Sequence, residues 1–197
     1  MYNPNRSVKL MGRDALRRLV LSAMFLAIGL VLPFFTGQIQ QIGNMLLPMH
    51  IPVMLCGLVC GWQYGALVGV ALPLLRSVLF GMPPLYPTAV SMAVELCVYG
   101  LAIGFIHGLF KKQGLLSVYV ALIVAMILGR ISWGGCQTVL LSMQGNAFTA
   151  QAFLAGAVLN AIPGIILQLL LIPAVMSSLH LTGLSRFRGR PCKEEQI

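Results

Sequence analysis

Long apolar stretches separated by short polar segments run through the whole chain. Six of these stretches predict helices, and most reach the roughly 20 residues that a helix needs to cross a bilayer. They cover residues 15–33, 48–60, 64–80, 88–110, 115–141 and 152–179. The pattern therefore predicts an all-α integral membrane protein with a bundle of six transmembrane helices.

The second and third stretches are less regular than the others. As a helix, residues 48–60 extend roughly 20 Å, which is short of the hydrocarbon thickness of about 30 Å. Pro73 is expected to interrupt the third stretch. The two stretches either cross the membrane separately or form a re-entrant hairpin, and both arrangements leave the sidedness of the flanking loops unchanged.

Composition leaves no room for a soluble domain. Of the 197 residues, 58% are hydrophobic and only 9% are charged, whereas about 25% of the residues in a typical soluble domain are charged. The mean hydropathy is +0.91. We expect a single membrane domain over residues 1–197, with a basic N-terminal segment at 1–18 and a basic tail at 185–197.

Basic residues outside the apolar stretches predict the orientation. Eleven of the 13 Lys and Arg residues fall within 6–18, 111–112 and 186–193. The positive-inside rule places these three segments, and therefore both termini, in the cytoplasm. No nucleic-acid motif accompanies them, so attraction to anionic lipid explains the net charge of +9 better than nucleic-acid binding does.

Apart from Arg17 and Arg18 at the start of the first stretch, three charged residues lie inside the apolar stretches, namely Arg76, Glu95 and Arg130. A charged side chain at the centre of a membrane helix costs about 3 kcal/mol or more, and by default it marks a substrate or ion path. Glu95 is the one acid in the body of the chain, because the other three acidic residues lie near its ends. These three charges are therefore the first candidates for a functional site.

The fifth stretch has the most polar face. Arg130, Trp133 and Gln137 stand at positions i, i+3 and i+7, on one side of a helix. An arginine keeps its proton, so in a membrane it needs an anion or several carbonyl oxygens, and a neighbouring aromatic ring offers a stacking surface for a planar ligand. We interpret this face as part of a binding site. The alternative is an Arg130–Glu95 ion pair that only fixes helix packing.

Each of the other charges has more than one interpretation. Glu95 is able to pair with an arginine, bind an amine or take up a proton, and pairing with Arg76 or Arg130 is the favoured interpretation. Arg76 either extends to the surface or lies at the mouth of a pocket beside Tyr86. His50, at the start of the second stretch, is either an interfacial residue or a ligand contact.

Motifs for chemistry are missing from the sequence. There is no Walker A sequence, so the chain has no ATP site of its own. No nucleophile–base pair, zinc-protease motif or redox cysteine pair can be assembled. The five cysteines have no histidine or acid at metal-ligand spacing. We therefore expect neither enzymatic activity, nor a cofactor, nor a metal.

Two long segments resemble a known family. GQIQQIGNMLLPMHIPVMLCGLVCGW at 37–62 and ALPLLRSVLFGMPPLYPTAVSMAVEL at 71–96 resemble one branch of the S components, the substrate-binding membrane subunits of energy-coupling factor (ECF) vitamin transporters. The basic N-terminus, the helix-one motif Ala23-x-x-x-Ala27 and six helices in about 200 residues add to the likeness, which covers nearly the whole chain.

The resemblance implies a division of labour among subunits in a bacterial plasma membrane. An S component captures a vitamin-like molecule from outside and docks through helix one onto a transmembrane coupling subunit, which places Ala23 and Ala27 in that interface. Two cytoplasmic ATPases drive the complex, and the S component is thought to topple in the membrane. The missing ATP motif is then expected.

The resemblance also implies a pocket built from the loop after helix one and from helices four to six. Together with the polar residues above, this gives the predicted substrate-binding set Gln41, Asn44, His50, Arg76, Tyr86, Glu95, Arg130, Trp133, Gln137 and Asn160.

Charge counting leaves the substrate open. Two arginines against one glutamate favour a ligand with a carboxylate, such as pantothenate, which is our first expectation. If Arg76 extends to the surface, the balance is neutral, and a cobalamin-type or queuine-type ligand fits equally well. Two other functions remain, a proton-coupled secondary transporter that uses Glu95, and a membrane scaffold in which the charges are packing ion pairs.

Overall fold

The computed structural model describes residues 4–36, 47–110, 114–143 and 161–181, with side chains at 14–34, 47–110, 114–143 and 161–179, and this part of the chain is mainly helical. The helices are α1 (Pro4–Val31), α2 (His50–Cys60), α3 (Trp62–Phe80), α4 (Val90–Leu109), α5 (Leu115–Met143) and α6 (Ile162–Leu181). A 3₁₀ turn, Leu32–Thr36, follows α1, and a π-type turn, Leu85–Ala89, precedes α4.

Five of the described segments are long and apolar enough to cross a membrane. They are Asp14–Phe34, Trp62–Phe80, Leu85–Leu109, Leu115–Met143 and Ile162–Leu179. The sixth helix, α2, has 11 residues, a length of roughly 16 Å, or about half of the hydrocarbon thickness. Its residues are nonetheless almost all buried, so α2 lies in the interior, enclosed by the longer helices.

The chain reverses direction between α2 and α3 at a single residue, Gly61. Its φ of 103° lies in the left-handed region that favours glycine. The two helices then pack closely, because a Cβ built on Gly65 would stand 2.7 Å from the Cα of Gly57. The second and third stretches therefore form a tight helical hairpin.

Glycines also bring α4 against this hairpin. A Cβ on Gly57 or on Gly65 would stand 2.7 Å from the carbonyl oxygen of Gly100, and one on Gly104 would stand 2.7 Å from that of Gly57. Gly69 meets the backbone of Leu96 in the same way. In lipid, where apolar burial gives little drive for helix association, such backbone contact is a main source of packing energy. We call Gly57, Gly65, Gly69, Gly100 and Gly104 the glycine seam.

Pro73 does not interrupt α3, so the expected break is wrong. The helix runs from Trp62 through the buried Pro73 to Phe80, and Gly81 ends it in the left-handed region at φ 68°. A proline inside a helix removes the hydrogen bond to the carbonyl four residues earlier, here that of Gly69, and its ring crowds that carbonyl. Neighbouring helices allow membrane helices to tolerate this loss.

α1 packs on the bundle along one narrow face. Ser22 and Gly29 are buried on that face, and a Cβ on Gly29 would overlap the side chain of Leu72 on α3 at 2.6 Å. The opposite face is apolar and exposed, and both Ala23 and Ala27 lie on it.

Candidate functional site

Glu95 lies at the centre of a buried charged cluster. Its Oε1 stands 3.1 Å from Nη1 of Arg130 on α5 and 3.5 Å from Nε2 of His50, the first residue of α2. His50 and Glu95 are 1% and 2% exposed, and Arg130 is 14% exposed. Three helices therefore each contribute one polar side chain to one point. We call His50, Glu95 and Arg130 the charged cluster.

Gly129 allows α5 to approach α4 closely enough for this contact. A Cβ at Gly129 would stand 2.7 Å from Cζ of Tyr99. The Tyr99 ring is 1% exposed and also packs edge-on against the imidazole of His50, with ring centroids 5.2 Å apart. Tyr99 therefore fills the space between α2, α4 and α5, directly beside the charged cluster.

Several polar atoms of the site have no hydrogen-bond partner among the described residues. They are Nδ1 and Nε2 of His50, Oε1 of Glu95, Nε and Nη2 of Arg130, Oε1 of Gln137 and Nε2 of Gln168. The Glu95–Arg130 contact is thus a close charge pair and the Glu95–His50 contact a close approach, and neither has hydrogen-bond alignment. Buried polar groups are as a rule hydrogen-bonded, and each unmet one costs about 1–3 kcal/mol. Such a concentration is typical of a site that a ligand or water completes.

Arg76 is buried and makes its described contacts with a backbone carbonyl and two aromatic rings. It is 3% exposed, which excludes the interpretation in which it extends to the surface. Its Nη1 donates a 2.8 Å hydrogen bond to the carbonyl oxygen of Leu30, near the end of α1. The guanidinium also lies 5.3 Å from the ring centroid of Phe34 and 5.6 Å from that of Phe80. Of the two predicted partners of Glu95, the structure brings only Arg130 to it.

The remaining predicted residues are placed as follows. Tyr86 is exposed, and its hydroxyl donates a 2.9 Å hydrogen bond to the carbonyl oxygen of Leu140 on α5. Trp133 and Gln137 are partly buried on the face of α5 that carries Arg130. Gln41, Asn44 and Asn160 lie outside the described residues.

The predicted site set omitted three residues next to the charged groups or facing the interior. Tyr99 and Gly129 shape the charged cluster, and Gln168 on α6 is 1% exposed with an unpartnered amide nitrogen. Gln168 stands one turn before Ile172, which belongs to the same core as Tyr99 and Met126. A glutamine within an apolar helix is a visible signal, whereas Gly129 resembles many other glycines in this sequence.

The fold and the site define a class. Apolar helices long enough to cross a bilayer surround a buried polar cluster with unmet donors and acceptors, as in membrane proteins that bind small polar molecules. A family model described as ECF transporter, substrate-specific component, matches residues 17–176, more than three quarters of the chain. The chain belongs to this family and is a multi-pass membrane protein. No curated protein and no solved structure matches it significantly.

Proposed function

We propose that this chain is the S component of an ECF-type importer in a bacterial plasma membrane, and that it captures a vitamin-type molecule at the charged cluster. The observation that carries the proposal is the set of buried polar atoms without described partners on Glu95, Arg130 and His50. Membership of the family supports the transport role, and the charged cluster is the proposed position of the binding site.

Transport by such a subunit requires partners. The proposed partners are a transmembrane coupling subunit and two cytoplasmic ATPases, since the sequence has no ATP motif. Ala23 and Ala27 lie on an exposed apolar face of α1, which fits a helix interface where small side chains allow close approach. Crossing by all six helices, with both termini in the cytoplasm, belongs to the same proposal.

The first candidate substrate is pantothenate, which carries one carboxylate. Arg76 is held at the end of α1, so it no longer contributes to the charge balance beside Glu95. Arg130 alone supplies the fixed positive charge there, and its open Nε and Nη2 donors support a ligand with paired acceptor atoms. A cobalamin-type or queuine-type ligand remains the second choice.

The test is mass spectrometry of small molecules released by denaturing the detergent-purified protein. We expect a vitamin-type compound at close to one per chain. Arg130→Ala, purified in parallel, should elute as a folded monodisperse protein without the compound. Absence of any compound from the unchanged protein, purified from cells grown in rich medium, would contradict the proposal.

A second experiment tests the proposed contact of Ala23 and Ala27 with the coupling subunit. The double variant Ala23→Trp plus Ala27→Trp should keep the bound compound and lose co-purification with the coupling subunit. Undiminished co-purification would remove these residues from the interface.

The alternative is a secondary transporter that uses Glu95 as its proton site. The observation that supports this alternative is the burial of Glu95 beside His50, since a buried acid next to a histidine is able to take up a proton. It predicts uptake without the ATPase subunits, and it predicts that Glu95→Gln abolishes uptake while binding survives. Uptake that requires the ATPases would exclude it.

A further inference from the structure

One edge of the Arg130 guanidinium makes no hydrogen bond within the described part of the chain. Nη1 contacts Glu95 at 3.1 Å, whereas Nε and Nη2, which share the other side of the planar group, are buried without partners among the described residues. Two parallel N–H donors at this spacing match the two oxygens of a carboxylate. The open edge therefore favours a carboxylate over a single acceptor atom.

A carboxylate on this edge disturbs the local charge balance. Arg130 and Glu95 already compensate each other at 3.1 Å, so a second anion beside the same guanidinium leaves one negative charge without a partner in a buried site. Such a charge is strongly disfavoured unless it is paired or neutralised. Arg76 does not supply the missing positive charge, because none of its described contacts is with the charged cluster.

His50 is placed to supply it. Its Nε2 faces Oε1 of Glu95 at 3.5 Å, and its buried Nδ1 has no described partner. The titratable or charged groups that the described residues place around the ring are Glu95 and Tyr99 on α4 and, beyond Glu95, Arg130 on α5. Histidine is the side chain that most readily changes charge near neutral pH.

We propose that the site binds a carboxylate and takes up one proton on His50 as it does so. The ligand carboxylate occupies the Nε–Nη2 edge of Arg130, and Glu95 becomes the counter-ion of an imidazolium at position 50. The proton comes from a buffer acid or hydronium ion in solution, whose bond to hydrogen breaks as an N–H bond forms on the imidazole. The start of α2 at His50 adds the positive end of a helix dipole, which favours the anion but disfavours the imidazolium, so the carboxylate of Glu95 at 3.5 Å must outweigh the dipole.

This inference rests on the proposed binding function and adds the charge class of the ligand. The proton accompanies binding and does not by itself drive transport. It therefore applies whether or not the ATPase subunits supply the energy.

The experiment is isothermal titration calorimetry of the purified protein with pantothenate. Titrations are run at one mildly alkaline pH, where a free imidazole is neutral, in two buffers with different ionisation enthalpies. The dependence of the observed heat on the buffer gives the number of protons taken up. We expect close to one, and an apparent affinity that falls by up to tenfold for each further pH unit.

Two histidine variants make the assignment specific. His50→Gln retains a side chain that can donate to Glu95 but accepts no proton, so it should reduce proton uptake to near zero. His107→Gln is the matched control, because His107 is also buried but lies elsewhere on α4, beside Ser117 at 3.2 Å. It should keep the full uptake. Pantothenyl alcohol, in which a hydroxymethyl group replaces the carboxylate, should bind weakly and without proton uptake.

The outcomes separate this inference from the proposed function. Pantothenate binding without proton uptake, or uptake that persists in His50→Gln, overturns it and leaves the transport role intact. If pantothenate does not bind, the compound released from the purified protein takes its place. A released compound without a carboxylate then overturns the inference alone, and a carboxylate compound is judged by the same proton count. Absence of any ligand contradicts both proposals.

Discussion

Arg76 and Arg130 are both arginines in membrane-embedded helices, and their surroundings differ in kind. Arg76 is bonded to the carbonyl oxygen of Leu30 and lies near two phenyl rings. Its environment has no described anion, and the protein itself supplies its contacts. Arg130 has an anion, Glu95, at 3.1 Å, but two of its nitrogen atoms have no described partner.

If the proposed site is correct, the difference is that between a structural arginine, Arg76, and a binding arginine, Arg130, in a membrane. Burial does not separate them, because Arg76 is the more buried of the two at 3% against 14%. The two arginines differ in the number of N–H donors that have no described partner. Neutral carbonyl and aromatic partners join α3 to the end of α1, whereas the open edge of Arg130 retains donors for another molecule.

The largest effect is expected for Arg130→Lys. Lysine keeps the charge beside Glu95 but lacks the planar donor edge, so the two-point contact with a ligand is lost. A hydrogen bond involving a charged group contributes about 1.5–3 kcal/mol, which corresponds to roughly 10- to 150-fold in affinity. Calorimetry with the compound released from the protein measures it. A loss of less than about threefold would place the ligand elsewhere.

Gly129→Ala should weaken binding about tenfold without removing any polar group. The new methyl would stand 2.7 Å from Tyr99, which must push α5 away from α4 and lengthen the Arg130–Glu95 contact. Overpacking of this kind costs about 1–3 kcal/mol. Gly135→Ala on the same helix is the matched control, since a Cβ at Gly135 meets nothing within 4 Å. Equal affinities in the two variants would exclude this role for Gly129.

Arg76→Lys should lower the stability of the protein and leave ligand affinity nearly unchanged, whereas Arg130→Lys should lower affinity. We expect the free energy of unfolding to fall by about 1–2 kcal/mol, because the ammonium lacks the planar group that lies near the two rings. Ligand affinity should stay within about threefold of the unchanged protein. Thermal unfolding in detergent and calorimetry on the same sample measure the two quantities. If the variant loses ligand affinity while its stability is unchanged, Arg76 belongs to the binding site.

Phe80→Leu is expected to have the smallest effect. It removes one ring from Arg76 and the edge contact with Phe34, whose centroid lies 4.9 Å away. Such ring–cation contacts contribute about 0.5–1 kcal/mol at exposed sites. Phe105→Leu, at a similarly exposed phenylalanine on α4, is the control for the change of side chain alone. If both variants lose equal stability, the contact with Arg76 contributes nothing measurable.

The helices and part of the site could be predicted from sequence. Hydropathy and the Lys/Arg distribution define where helices run, and the i, i+3, i+7 spacing puts Arg130 and Gln137 on one face. The ion pair of Arg130 with Glu95 was among the predicted alternatives, and the structure has it. These features depend on local composition or on the scarcity of acids, and both can be read along the chain.

Other features depend on contacts between distant segments. Arg76 bonds to a backbone carbonyl 46 residues earlier, and every residue has such a carbonyl, so no residue type indicates the pairing. Pro73 predicts a helix break by its own chemistry, yet packing by neighbouring helices retains the helix. Gly129 matters because Tyr99 occupies the space above it, which becomes visible only when α4 and α5 are placed together.

The glycine seam has a consequence for how the protein moves. Helices that interlock through backbone contact cannot slide or hinge past one another without separating, because there are no flexible side chains between them to rearrange. α2, α3 and α4 should therefore move as a rigid body, and their amide hydrogens should exchange most slowly in the molecule. Among the described helices, α1, α5 and α6 lie outside the seam. We therefore expect a change in the accessibility of the charged cluster to involve these helices or rotation of the whole molecule.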